Sequence, residues 1–164
     1  MEPQVDSVAQ RRLAELARHL ASGQITNFEF DDAIPSSRDR SVYTVYFNGL
    51  WPLYDDLRLH RMKGKWALTP EGRAWVARIV LFLRSNKPYR YPTPTRLQAI
   101  LAFPLTLATL GLSDRLWRRY TWRHADTSVW PFYSKEEFED ARRNPVYLSG
   151  RASPNNRMQR SGSV

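Results

Sequence analysis

Thr69-Pro70-Glu71-Gly72-Arg73-Ala74-Trp75-Val76-Ala77-Arg78-Ile79-Val80-Leu81-Phe82-Leu83-Arg84 is the stretch around which this chain organises itself. Threonine followed by proline and glutamate gives an N-cap, a proline at the first helical position and an early acid that complements the helix dipole. From Gly72 to Arg84, the residues Trp75, Val76, Ile79, Val80, Phe82 and Leu83 cover most of the circumference of a helix. A helix that is apolar nearly all round is a central one. The spacing therefore predicts a central apolar helix over 70–84 and, with it, a mostly α-helical, single, irregular helical domain.

Upstream, Ser7 and Gln10 read as a capping box that opens a first helix. Ala9, Leu13, Leu16, Ala17 and Leu20 give it a narrow apolar stripe, suited to one neighbour, and Gly23 stops it. Thr26 and Glu29 form a second box, with Ile25 and Phe30 placed for a hydrophobic staple. Ser134 and Glu137 repeat the device late in the chain, flanked by Tyr133 and Phe138. Trp51-Pro52-Leu53-Tyr54 echoes Trp130-Pro131-Phe132-Tyr133, but the echoes do not share one offset, which argues against an internal repeat.

Residues 39–61 carry two signals. Val42 to Phe47 is rich in β-formers and Asn48-Gly49 is a hairpin turn, so a short β-hairpin near 42–54 is one reading. Val42, Val45, Tyr46, Leu50, Leu53 and Leu57 also fit one helical face, continued by Asp55, Asp56, Arg58, His60 and Arg61. Pro52 breaks a strand but only kinks a helix. The favoured reading is a kinked helix packed on helix 70–84. Beyond it, Ser85 to Thr95 is a proline-rich loop. Leu97 to Ser113 holds no charge. Ser113-Asp114 caps a further helix with Arg115, Arg118, Arg119 and Arg123 on one face and Trp117 and Trp122 on another.

Composition narrows the function classes. The chain has 164 residues, the size of one ordinary domain, and we place that domain over 1–150 with a disordered basic tail at 151–164. It has no Cys, which excludes a disulfide scaffold, a cysteine-ligated metal and a thiol nucleophile. The net charge is +9, concentrated in residues 61–123, where thirteen Lys and Arg face only Glu71 and Asp114. Such a balance favours polyanionic partners. Met1 to Asp6 is acidic with no apolar run behind it, so a cytoplasmic location is expected, with membrane association as the alternative.

Three resemblances add context. The tail Pro154-Asn155-Asn156-Arg157-Met158-Gln159-Arg160-Ser161 is similar to the C-terminal ends of bacterial mobile gene cassettes and repeat-flanked genes. The body, through Phe82-Leu83-Arg84-Ser85, Pro88-Tyr89-Arg90-Tyr91-Pro92 and Val129-Trp130-Pro131-Phe132, is similar to uncharacterised bacterial proteins with no known activity. Leu13 to Phe30 also resembles a short helical-hairpin interaction motif. These resemblances imply a bacterial accessory gene and name no activity.

Catalytic signatures are missing from the sequence. His19, His60 and His124 are far apart, and Asp56 with His60 lacks a third ligand, so no metal is expected. There is no Gly-x-Ser-x-Gly elbow, and the acids at 136–140 form a continuous run of the kind that complements a helix start. No phosphate loop is present, and no cofactor is expected. The sequence therefore points to a non-enzymatic protein acting through protein–protein contact or self-association, with Trp130, Phe132 and Tyr133 as an aromatic clasp over the core. One alternative is nucleic-acid or polyanion binding through Arg115, Arg118, Arg119 and Arg123 with Trp117 and Trp122. Another is peripheral membrane attachment through 97–113.

Overall fold

A computed structural model of the chain describes residues 5–91 and 126–145. Among the described residues there are five α-helices: α1 (Ser7–Ala21), α2 (Asn27–Asp32), α3 (Arg40–Val45), α4 (Pro70–Arg84) and α5 (Lys135–Arg143). The fold is mostly helical, and the described residues contain no strand or sheet.

Each helix start shows why it begins where it does. Thr69 caps α4 by accepting from the Gly72 N–H at 3.1 Å, with Pro70 just inside. Thr26 and Glu29 close the expected box on α2, at 3.1 and 2.7 Å. At α1 the cap is Asp6 rather than Ser7: its carboxylate accepts from the Ala9 N–H at 3.0 Å. Gln10 does not close a box there, because its side chain is buried and used elsewhere. At α5 Ser134 accepts from the Glu137 N–H at 3.3 Å, while the Glu137 carboxylate takes the Tyr133 N–H instead of that of Ser134. Helix α1 ends in a Schellman turn. Gly23, at φ 66°, donates to Leu20 O at 2.8 Å and Gln24 donates to His19 O at 2.9 Å.

Helices α1 and α4 pack along each other and form the centre of the molecule. The buried stripe of α1 is wider than its sequence pattern suggests: Ala9, Gln10, Leu13, Ala14, Leu16, Ala17 and Leu20 are all inside, so α1 also meets α2 and α3. From α4, Val76, Ile79, Phe82 and Leu83 are buried, with Trp75, Val80 and Leu81 packed against the core.

The 39–61 region departs from both sequence readings. Helix α3 runs only from Arg40 to Val45, then a π-helical turn takes Tyr46–Leu50 and a single 3₁₀ turn takes Trp51–Leu53. The Asn48-Gly49 pair lies inside the π turn, not in a hairpin. Pro52 sits in the 3₁₀ turn and the chain leaves helical geometry at Tyr54, which is extended at φ −137°. Asp55 to His60 are therefore not helical, and Leu57, placed on the apolar face by periodicity, is 86% exposed. Pro52 has no N–H to continue a helix, and the non-helical path is held from outside: Asn27 reaches across from α2 and its side chain donates to Asp55 O at 2.8 Å and Arg58 O at 2.9 Å.

Residues 126–145 return to this core. Phe132 meets Phe82 edge to face at 5.4 Å, Trp130 stacks on Trp75 at 5.2 Å, and the Trp130 indole donates to the Tyr89 hydroxyl at 3.0 Å. The Trp130–Pro131 peptide bond is cis.

Candidate interaction surface

The π turn decides what α3 shows to solvent. Residues four apart on an α-helix drift by about 40° around the axis. A π turn takes more residues per turn and reverses that drift. Tyr43, Phe47 and Trp51 consequently line up. Tyr43 and Phe47 are parallel within 7° at 5.8 Å between ring centres, and Phe47 and Trp51 within 12° at 5.0 Å. Tyr43 is 64% and Phe47 43% exposed, while Trp51 is half-buried. The opposite side of the same element is fixed to the core. Gly49 O accepts the Trp75 indole N–H at 2.8 Å, and Val42, Val45 and Leu50 are buried. The result is a three-ring stack on the outside of a firmly seated element.

Polar groups near this element are used structurally. The Asp31 carboxylate accepts from both the Tyr46 hydroxyl, at 3.0 Å, and the Tyr54 hydroxyl, at 2.5 Å. Burial, followed by those bonds to Asp31, pushes both tyrosines above the ordinary phenol range, which keeps them protonated as donors. Asp39 is buried and ties two helix starts together. It accepts from the backbone N–H of Asp6 and the side-chain amide of Gln10, both at 2.9 Å, and from the Ser41 N–H at 2.8 Å. Asp6, Glu29 and Asp126 are held below the usual carboxylate range, chiefly by hydrogen bonds from Ala9, Thr26 and Ser128. Among the described residues, no group of three or more His, Asp or Glu stands together to hold a metal. His60 is buried, with Nδ1 donating to Arg58 O at 2.7 Å and its ring on Trp66 at 4.3 Å, so it shares no helical face with Asp56.

Comparison of this chain with protein-family models, with curated proteins and with solved structures returns no match. The residues themselves must carry the reading.

Of the residues singled out in the sequence, Trp130 and Phe132 are buried in the core and Tyr133 is half-buried against Tyr91. Their rings are taken up inside the molecule. Arg115, Arg118, Arg119, Arg123, Trp117 and Trp122 lie outside the described residues, as does Leu97 to Ser113. Among the described residues, no helix is long and apolar enough to cross a membrane. The Tyr43, Phe47 and Trp51 stack was missed by the sequence reading. Its signal is an aromatic at every fourth position, overlaid in the sequence by the apolar pattern of the buried face of the same segment.

Proposed function

We propose that this chain is a small, non-enzymatic bacterial accessory protein that acts by binding another protein, and that Tyr43, Phe47 and Trp51 form the contact. The observation that carries this is the solvent-facing stack itself, with centroid separations of 5.8 and 5.0 Å. Pre-ordered aromatic rings lose little entropy on binding, and Tyr and Trp dominate the energetics of protein interfaces. A non-enzymatic role is supported by where the polar groups go: Asp6, Asp39, Glu29, Asp126 and Glu137 each accept from helix-start or turn backbone.

The test is affinity capture from expressing cells, with nuclease and detergent in the washes, comparing the native chain with Tyr43→Ser/Phe47→Ser. A protein retained through both treatments and lost with the double variant supports the reading. Recovery that depends on nuclease-sensitive material favours polyanion binding through Arg115 to Arg123, and identical capture by both chains rejects the stack as the contact.

A further inference from the structure

A second surface lies on the loop that follows the 3₁₀ turn. Residues 55–63 are irregular and lead into a single 3₁₀ turn at Gly64–Trp66, yet they are tightly held. Asn27 and His60 exchange backbone and side-chain bonds: the Asn27 N–H donates to His60 O at 3.1 Å and the His60 N–H to Asn27 Oδ1 at 3.0 Å. The Arg61 guanidinium donates to Gln24 O at the end of α1, and the Lys63 side chain lies against Gly23. His60 and Met62 turn inward and are buried.

The outward side is unusual. Leu57 is 86% and Leu59 65% exposed, although the loop is anchored without them. Arg58 stands between them, and Arg61, Lys63 and Lys65 follow, all exposed. The opposing acids are Glu29, Asp55 and Asp56. Glu29 is engaged by Thr26 and by Arg61 at 3.8 Å, and Asp55 accepts the Leu57 N–H at 2.9 Å. The loop thus presents two protruding aliphatic side chains, preceded by Asp55 and Asp56 and accompanied by four exposed cations, Arg58, Arg61, Lys63 and Lys65, so its balance is positive.

We propose that this loop attaches the protein to an anionic lipid surface, with Leu57 and Leu59 entering the boundary between headgroups and acyl chains and Arg58, Lys63 and Lys65 meeting lipid phosphates. Three features select lipid over other anionic partners. Nucleic-acid bases stack on aromatic faces, whereas the protruding groups here are aliphatic. The Trp66 ring is already covered by His60 at 4.3 Å and approached by the Lys65 ammonium at 5.2 Å. A leucine that is 86% exposed is a convex knob, which a fluid bilayer accepts and a preformed protein pocket must match. The attachment is independent of the aromatic stack and uses a different partner.

The absence of Cys makes the test direct. Leu57→Cys, carrying a polarity-sensitive fluorophore in the full chain, is mixed with vesicles of phosphatidylcholine and phosphatidylglycerol in equal parts, and with phosphatidylcholine alone. Emission should shift to the blue on the mixed vesicles at low salt, and not on the neutral ones. The same label at Val8→Cys, near the opposite end of α1, should stay at its aqueous emission. In flotation, Leu57→Ser/Leu59→Ser should lower partitioning by about tenfold or more. Arg58→Gln/Lys63→Gln/Lys65→Gln should lower it about fivefold per charge removed. All five side chains are exposed, so unchanged melting temperatures will show that the variants fold. An unshifted label at 57 overturns the proposal even if the protein floats with vesicles, because attachment then lies elsewhere. So do leucine variants that bind as the native chain does, and so does binding to poly(U) RNA that falls in the charge variant with no vesicle binding at all.

Discussion

A β-carbon added to Gly49 would lie 2.7 Å from Trp130 Cη2 and 2.8 Å from Ile79 Cδ1. The constraint is space, not backbone conformation, since only Gly23 and Gly64 among the described glycines have positive φ. Both neighbours are core side chains that cannot swing into solvent. Gly49→Ala should therefore destabilise the fold by about 1–3 kcal/mol, the usual cost of overpacking, read from chemical denaturation. A second expectation at this scale concerns pH. Asp6, Glu29 and Asp126 have folded-state pKa values below their ordinary ones because backbone and hydroxyl donors hold the charged form. Their contribution is complete above the unfolded value, about 4, and is lost as pH falls through the folded one. Melting temperature should hold steady from neutrality to about pH 5 and drop below about pH 4, and Asp6→Asn should reduce that drop. An acid transition of equal size in Asp6→Asn would assign it to other carboxylates.

Among the elements, capping gives the sharpest comparison. Thr69→Ala removes the acceptor for the Gly72 N–H and should cost about 1 kcal/mol, a few degrees in a domain of this size. At α1, Asp6→Ala should be costly while Ser7→Ala should be close to neutral, because Asp6 is the cap and Ser7 is already inside the helix. Equal effects would mean that the two share the role. The starts of α2 and α4 were legible in the sequence because their caps are local: Thr26 with Glu29, and Thr69 with Pro70, act within one turn. The break after Val45 was legible only in part. Pro52, which has no N–H to give, announces a kink, but the path the chain then takes is held by the indole of Trp75 on Gly49 O and the amide of Asn27 on Asp55 O and Arg58 O, and neither partner is near in sequence. The same limit applies to the exposed surfaces. Tyr43, Phe47 and Trp51 repeat at four residues, but only the π turn, which no local pattern announces, brings their rings parallel.

For the molecule as a whole, the return of residues 126–145 to α4 sets cooperativity. Phe132 is fully buried against Phe82 and Phe138, so Phe132→Ala should cost about 3–5 kcal/mol. Because Trp75 and Trp130 stack across the same junction, near-UV and far-UV circular dichroism should melt together in the native chain. Separate transitions would show that the 126–145 segment unfolds independently of α1 and α4. The central position of α4 was legible from its apolar circumference. An aromatic segment at 130–133 was expected over that core, but its burial within it and the pairing of Phe132 with Phe82 and of Trp130 with Trp75 were not legible, because aromatic residues that cross-pack over such separations leave no periodic trace.

The Tyr91 hydroxyl lies 2.9 Å from Phe132 O and 3.1 Å from Asp126 O. Burial raises its pKa above the ordinary phenol range, so it remains protonated as a donor for this junction. It follows that residues 91, 126 and 132 are held together by one tyrosine side chain. One hydroxyl thus acts as a rivet between stretches of chain 35 and 41 residues apart in sequence.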